Sequence, residues 1–325
     1  MIILIQRVLI LIVIFDISTV FGQSDNVNIS SFGSNPGNLE MFLHLPKSPK
    51  SKKSLVVVLH GCMQDAKTIA AQSGWNDLSD KYGFTVLYPQ QKILNNPNEC
   101  FNWFQKKDIE KDKGEVFSIK QMIDFAVDSM KLNRDSVFVY GLSAGAAMGV
   151  ALMADYPETF QTGAILAGGP FYSATNPMKA FGSLLSPQKK SAEEWAIPIF
   201  KQHNDSIKKF PKLIVIHGKS DQVVNIENSR QLILQWSAIH QISSFPSETI
   251  HDFKDKNDFV NFVYNDIAGN EIISFLEVKY LGHELMVDPG EGNKQGGKTG
   301  LFSKDKDFFS TYWIAFKFGL IAEDY

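Results

Sequence analysis

Ser136-Val137-Phe138-Val139-Tyr140-Gly141-Leu142-Ser143-Ala144-Gly145 is the stretch that decides how this chain folds. Its first half is a continuous β-branched and aromatic run, the pattern of a strand buried on both faces. Residues 144–156 are small and apolar and read as a helix. Between them lies a G-x-S-x-G match, which average glycine and serine usage produces in about one chain in ten of this size. Context gives it meaning, because a strand leads directly in and a helix opens directly after. A turn that tight strains the serine backbone and leaves its Oγ exposed. The flanking glycines are needed where a side chain would collide with neighbouring backbone. The helix N-terminus favours developing negative charge. Ser143 is therefore the candidate nucleophile.

Outward from this turn the pattern alternates. Residues 55–59 (Leu-Val-Val-Val-Leu), 84–88, 164–167, 212–216 and 271–280 read as strands, with Pro89 stopping the second and 271–280 the last. Residues 68–82, 118–132, 227–239 and 308–318 have helical spacing. Strands alternating with helices predict an α/β fold with a mostly parallel sheet covered on both faces. Residues 171–210 break the rhythm and are expected to form an insertion, a cap beside the strand ends. The most polar run, 47–53, lies between strand-like 39–45 and 55–59 and reads as a solvated hairpin turn rather than a basic patch.

The whole chain of 325 residues is 44% hydrophobic, 12% aromatic and 21% charged, which describes a globular protein and excludes a disordered one. Basic and acidic residues number 32 and 35, a net of -3, so a whole-protein field for nucleic acid is absent. The only long apolar run stands at the start, which argues against a polytopic membrane protein. There Arg7, an apolar core at 8–15 and the small residues Val20 and Gly22 read as a cleaved secretory signal, residues 1–22, with Asp16 making the run short for a membrane anchor. The expectation is a secreted or periplasmic protein, free of the membrane after cleavage, whose residues 23–325 form a single catalytic domain. In that compartment the two cysteines, Cys62 and Cys100, are a candidate disulfide, two separate thiols being the alternative. No further cysteine pair suggests a metal site, and neither metal nor cofactor is expected.

A serine hydroxyl needs a base, and the base a carboxylate to orient it. On this fold both follow the serine, in loops at the ends of later strands. His217-Gly218-Lys219-Ser220-Asp221 places Asp221 after one strand, and Leu281-Gly282-His283 places His283 after the next. His44 and His60 precede the serine, His203 lies in the insertion, and His240 and His251 lie near a helix end and in a loop. His217 ends a strand before the acid and reads as structural. Asp252, Asp255 and Asp258 are the alternative acids. Acyl transfer also needs donors for an oxyanion: the N–H of Ala144, next to the nucleophile, and one from the loop after an earlier strand. His60-Gly61-Cys62-Met63-Gln64 is that loop, and the Cys62 N–H is the candidate. A Cys62–Cys100 bridge would hold it in place.

Gly292 to Thr299 satisfies the pattern G-x-x-x-x-G-K-[ST]. A working phosphate cradle joins a strand directly to a helix. Here Asp288-Pro289-Gly290 precedes and no helix follows at once, so the segment reads as a flexible glycine loop and no nucleotide is expected.

His60-Gly61-Cys62-Met63-Gln64-Asp65, Tyr88-Pro89-Gln90, Cys100-Phe101-Asn102-Trp103-Phe104, Gly141-Leu142-Ser143-Ala144-Gly145 and Gly282-His283 occur in the order found in polyhydroxybutyrate depolymerase-like esterases, which the chain resembles from about Leu55 to Gly319. The resemblance implies the α/β-hydrolase fold, ester hydrolysis, a Ser143–Asp221–His283 triad and a bridge between Cys62 and Cys100. It gives Trp103 a place in the substrate cleft, packing in the core being the alternative. Glu284-Leu285 departs from the Ala-Trp or similar aromatic pair that follows the histidine in many relatives. The expected function is hydrolysis of a short-chain hydroxyalkanoate or related ester through an acyl-enzyme. Its rivals are a feruloyl or acetylxylan-type esterase, a serine peptidase or lipase with the same triad, and a non-catalytic binding protein on the same fold.

Overall fold

The computed structural model describes residues 26–49, 53–203 and 209–324. The signal reading of residues 1–22 lies outside them. The strands are β1 (Val27–Ile29), β2 (Glu40–His44), β3 (Leu55–Leu59), β4 (Thr85–Gln90), β5 (Val137–Leu142), β6 (Thr162–Leu166), β7 (Lys212–Gly218), β8 (Glu248–His251), β9 (Phe259–Asn265), β10 (Glu271–Val278), β11 (Leu285–Val287) and β12 (Ser303–Asp305). The first ten form one sheet in the order β1-β2-β4-β3-β5-β6-β7-β10-β9-β8. It is parallel from β4 to β10 and antiparallel at both ends.

The apolar runs explain the layering. Every residue of β3 is buried, and its side chains alternate between two cores. Leu55, Val57 and Leu59 face the layer formed by α4 (Gly114–Ser129), α5 (Ala144–Asp155) and α8 (Glu227–His240). Val56 and Val58 face the layer of α1 (Ala66–Ser73), α2 (Trp75–Tyr82) and α9 (Ser310–Lys317). A strand packed on both sides has no polar position to spare, hence the unbroken Val/Leu run. This is the mostly parallel, doubly covered sheet that the pattern predicts, and the α/β-hydrolase arrangement that the resemblance implies. The short α3 (Lys106–Ile109) precedes α4, and α6 (Pro177–Leu185) and α7 (Ala192–Lys201) lie between β6 and β7, in the stretch that breaks the sequence rhythm.

Four expectations are corrected. The strands on either side of the 47–53 run do not form a hairpin, because β4 lies between β2 and β3 and pairs with both; residues 50–52 of the run lie outside the described residues. The helix expected over 68–82 is two helices meeting at Gly74, whose φ of 69° ends α1. A Cβ at Gly74 would lie 2.8 Å from Phe309 Cζ and 2.9 Å from the Gly297 nitrogen, so the kink accommodates a close approach. Pro89 does not stop its strand. The β3 ladder ends at Leu87, and beyond it β4 pairs with β2 alone, where a missing N–H is tolerated. Finally, β10 is not the last strand, since the small β11/β12 pair follows it, and the antiparallel β8 and β9 escape the alternation altogether.

Candidate active site

The turn from β5 into α5 carries Ser143 at φ 55°, ψ −118°. Such a conformation in a residue with a Cβ costs about 1–3 kcal/mol and persists only where its surroundings enforce it. Here the Ser143 N–H is held by the Leu166 carbonyl at 2.9 Å, at the end of β6. A Cβ on Gly145 would come within 2.3 Å of the Leu59 carbonyl oxygen, so only glycine lets α5 start against β3. Ala144 opens α5, and a helix's first N–H groups have no partner within the helix.

The loops after β7 and β10 bring Asp221 and His283 together. His283 Nδ1 lies 2.7 Å from Asp221 Oδ2, and the carboxylate side chain is fully buried. Asp221 Oδ1 accepts the N–H groups of Val223 and Val224, both at 2.8 Å. His217 Nε2 approaches Oδ2 at 3.2 Å while also donating to the Val224 carbonyl at 2.9 Å, and its Nδ1 meets the Ser229 hydroxyl at 2.6 Å. Burial alone raises the Asp221 carboxyl; the hydrogen bonds from His217 and His283 outweigh it and hold the group well below the usual carboxylate range. An ionised carboxylate on Nδ1 makes that nitrogen the donor and turns Nε2 outward as the basic one. It is Asp221, rather than the alternative acids Asp252, Asp255 and Asp258, that meets His283 Nδ1, and Asp258 is paired with Lys306 at 2.6 Å.

The loop after β3 is fixed on every side. Gly61 N–H is bound by Gln64 Oε1 at 2.8 Å and Met63 N–H by the Asn98 carbonyl at 2.8 Å. Between them, the Cys62 N–H has no acceptor among the described residues. Cys62 is bonded to Cys100, S–S 2.02 Å. His60 is fully buried, accepts the Gln91 N–H on Nε2 at 3.1 Å and contacts the Gly61 carbonyl through Nδ1 at 2.7 Å. Burial lowers its pKa to about 4, so the ring is neutral with its proton on Nδ1.

Ser143, Ala144, Cys62 and His283 line one cavity of about 170 Å³. Trp103 belongs to the core and also lines this cavity. Met63, in the loop quoted for the oxyanion donor, lines it too, as do Leu184, Val223, Val224, Asn228 and Phe302, to which the sequence gives no role. These last five carry no motif; Val223 and Val224 are marked only by standing close after the acid. Among the lining residues His283 has the single ionisable side chain. Residues 292–299 are not part of the wall. They precede β12 rather than a helix, and the segment is pinned, not loose, by the Asp288–Gly296 bridge and by Lys298 N–H to the Gln72 carbonyl at 3.2 Å.

Comparison with known proteins follows the same lines. The family model described as esterase PHB depolymerase matches residues 39–245. Poly(3-hydroxyalkanoate) depolymerase C of Paucimonas lemoignei is 37% identical over 90% of this chain and 70% of its own length. Feruloyl esterase B of Talaromyces stipitatus is 26% identical over 74% of this chain and 68% of its own. Among solved structures, an acetyl xylan esterase from Aspergillus awamori superposes with a TM-score of 0.73 at 20% identity, covering 80% of this chain and 94% of that one, a likeness of fold. The chain is a carboxylic ester hydrolase with the α/β-hydrolase fold and belongs to the esterase PHB depolymerase family.

Proposed function

We propose that Ser143, His283 and Asp221 hydrolyse neutral aliphatic carboxylic esters, with short-chain polyhydroxyalkanoate as the substrate class. Ser143 Oγ attacks the ester carbonyl while His283 Nε2 takes its proton. The N–H groups of Cys62 and Ala144 hold the tetrahedral oxyanion. His283 returns the proton to the departing alcohol, and water repeats the sequence on the acyl-enzyme. Asp221 orients the imidazole and stabilises its charged form. The carrying observation is the 2.7 Å contact between His283 Nδ1 and a buried Asp221 in the loop bordering the cavity that holds Ser143 at a helix N-terminus.

The cavity wall supports the choice of substrate. Its lining is mostly apolar and has no ionisable side chain but His283, which suits an aliphatic acyl chain better than a polar sugar. The 37% identical relative is itself named as a poly(3-hydroxyalkanoate) depolymerase. We read residues 23–325 as one catalytic domain acting outside the cytoplasm, with residues 1–22 as its export signal; an oxidised Cys62–Cys100 pair accords with that compartment. No helix among the described residues is long and apolar enough to cross a membrane.

Ser143→Ala tests the reading. Hydrolysis of p-nitrophenyl butyrate should fall by at least about a thousandfold, with an unchanged unfolding transition; undiminished turnover would overturn the mechanism. A panel of hydroxybutyrate oligomers, methyl ferulate and acetylated xylan tests the substrate, the first being turned over fastest.

A further inference from the structure

We propose that Glu115, on α4, is a positioning residue for the oxyanion donor at Cys62, its buried carboxyl joining the two arms that fix the Gly61–Cys62 peptide. The proposal rests on the reading of Cys62 N–H as an oxyanion donor given above.

The peptide itself shows why its carbonyl side matters. It is trans, so its C=O and its N–H point in opposite directions. Whatever holds the Gly61 oxygen therefore aims the Cys62 N–H. The first arm does this: His60 Nδ1–H donates to the Gly61 oxygen at 2.7 Å, and His60 is held by the Gln91 N–H on its other nitrogen at 3.1 Å and by the Phe101 ring, centroid to centroid 4.8 Å. The second arm is covalent, running from Cys62 through sulfur to Cys100.

Both arms end on one carboxyl. Glu115 Oε1 accepts from Gln91 Nε2 at 2.6 Å and from Asn102 Nδ2 at 2.6 Å, and Oε2 accepts the Asn102 N–H at 2.8 Å. Gln91 Nε2 also reaches the Cys100 carbonyl at 3.2 Å. Glu115 thus grips Gln91, whose backbone N–H sets His60 and whose amide reaches Cys100, and grips Asn102 just beyond Phe101. It is 1% exposed and does not line the cavity, so it acts on the reaction through its neighbours alone. A carboxyl buried this deeply is costly unless it is hydrogen-bonded, and three N–H groups converge on this one.

The chemistry of the three partners defines the test. All are donors, so the ionised carboxyl, present above the pKa of about 8 to which burial raises it, accepts from all three. An amide instead sets an NH₂ against an N–H whichever way it is turned, unless Gln91 and Asn102 turn too and give up their bonds to Lys92, Asn95 and Asn96. Glu115→Gln keeps size and shape while breaking the junction. Expected is a fall in kcat of about tenfold or more, the scale on which small misplacements of a catalytic group act, with KM changed less than twofold. Affinity for a trifluoromethyl ketone, whose hemiketal oxygen occupies the oxyanion position, should fall by the factor lost in kcat/KM. Affinity for the product alcohol should hold. Gln91→Met, which keeps the backbone N–H to His60 but removes the amide between Glu115 and Cys100, should shift kcat and ketone affinity the same way by a smaller factor, and decides the matter if the first variant does not fold. A folded Glu115→Gln enzyme, or failing that a folded Gln91→Met enzyme, with wild-type kcat and ketone affinity overturns the proposal, as does a loss confined to KM or thermal stability. If Ser143→Ala is inactive in that event, the Glu115 role alone has failed; an active Ser143→Ala enzyme overturns both.

Discussion

The cavity has two unlike walls. One is the loop after β3 with its supports: a disulfide, a neutral buried histidine and a buried carboxyl whose hydrogen bonds all end on protein. The other is built from the chain between β6 and β7, where α6 contributes Leu184 to the lining. That helix is tied down by the Leu184 carbonyl, which accepts from the Asn225 N–H at 2.8 Å and Asn228 Nδ2 at 2.9 Å. Its outer face is apolar and uncovered, with Met178 90%, Phe181 72% and Leu185 45% exposed. In the mechanism proposed above, negative charge would develop against the first wall, where a donor displaced by a fraction of an ångström loses much of its effect. The second wall would then meet the acyl or alcohol part of the substrate, and apolar contact tolerates displacement. On that proposal the difference teaches where rigidity is needed: the wall facing the charge is polar, buried and cross-linked, while the wall facing the chain is apolar and held by a few hydrogen bonds.

Breaking the first wall should have the largest consequence. Replacing both cysteines by serine opens a loop of 38 residues, worth up to about 4 kcal/mol in chain entropy. Chemical unfolding should register most of that loss, and kcat should fall while KM changes less. An unaltered midpoint together with unaltered kcat would remove the covalent arm from the argument. Acid probes the same wall more gently. His60 titrates near 4 in the folded protein, below its ordinary 6.5, because burial disfavours the charged ring. Between those values the unfolded chain binds the proton and the folded one does not, so stability is full above pH 6.5 and declines as pH falls toward 4. The decline from this group is about 3 kcal/mol. Burial lowers His240 and His203 as well, so the share of His60 is the difference in slope between wild type and His60→Asn. Equal slopes would mean that His60 carries no such linkage.

The two walls were also unequally legible in the sequence. Leu55 to Leu59, the G-x-S-x-G turn and the strand-end positions of Asp221 and His283 all follow from local pattern, because a strand buried on both faces and a strand-to-helix turn each leave a mark within a few residues. The His60-Gly61-Cys62 loop is visible for the same reason. Of its supports the Cys62–Cys100 bridge is visible too, but the carboxyl junction behind it is not: Gln91 and Glu115 follow no periodicity and look like surface residues until folding buries them, and nothing around Asn102 announces that it meets Glu115. The kink at Gly74 is equally silent, since the cause is Phe309 and Gly297 arriving from more than two hundred residues away. The antiparallel β8 and β9 were missed because the polar Asn261 sits within β9, where it accepts from the Ser274 hydroxyl of β10 at 3.0 Å, a pairing only the folded sheet supplies. Sequence pattern records what a residue does with its neighbours in the chain, and the loop after β3 is held by residues that meet only in space.

The smallest effect belongs to the second wall. Phe181 stands on the outer face of α6, away from Ala180 and Ser183, which are buried. Phe181→Ser removes an exposed ring and neither of the hydrogen bonds to the Leu184 carbonyl, so it should change stability by less than about 0.5 kcal/mol. Turnover of soluble p-nitrophenyl butyrate should stay within about twofold of wild type, since no polar group facing the oxyanion is disturbed. The same measurement can reverse the comparison. A tenfold loss with the soluble ester would place α6 among the parts that hold the reacting groups in register, and rigidity would then be a property of the whole cavity rather than of the side on which charge appears.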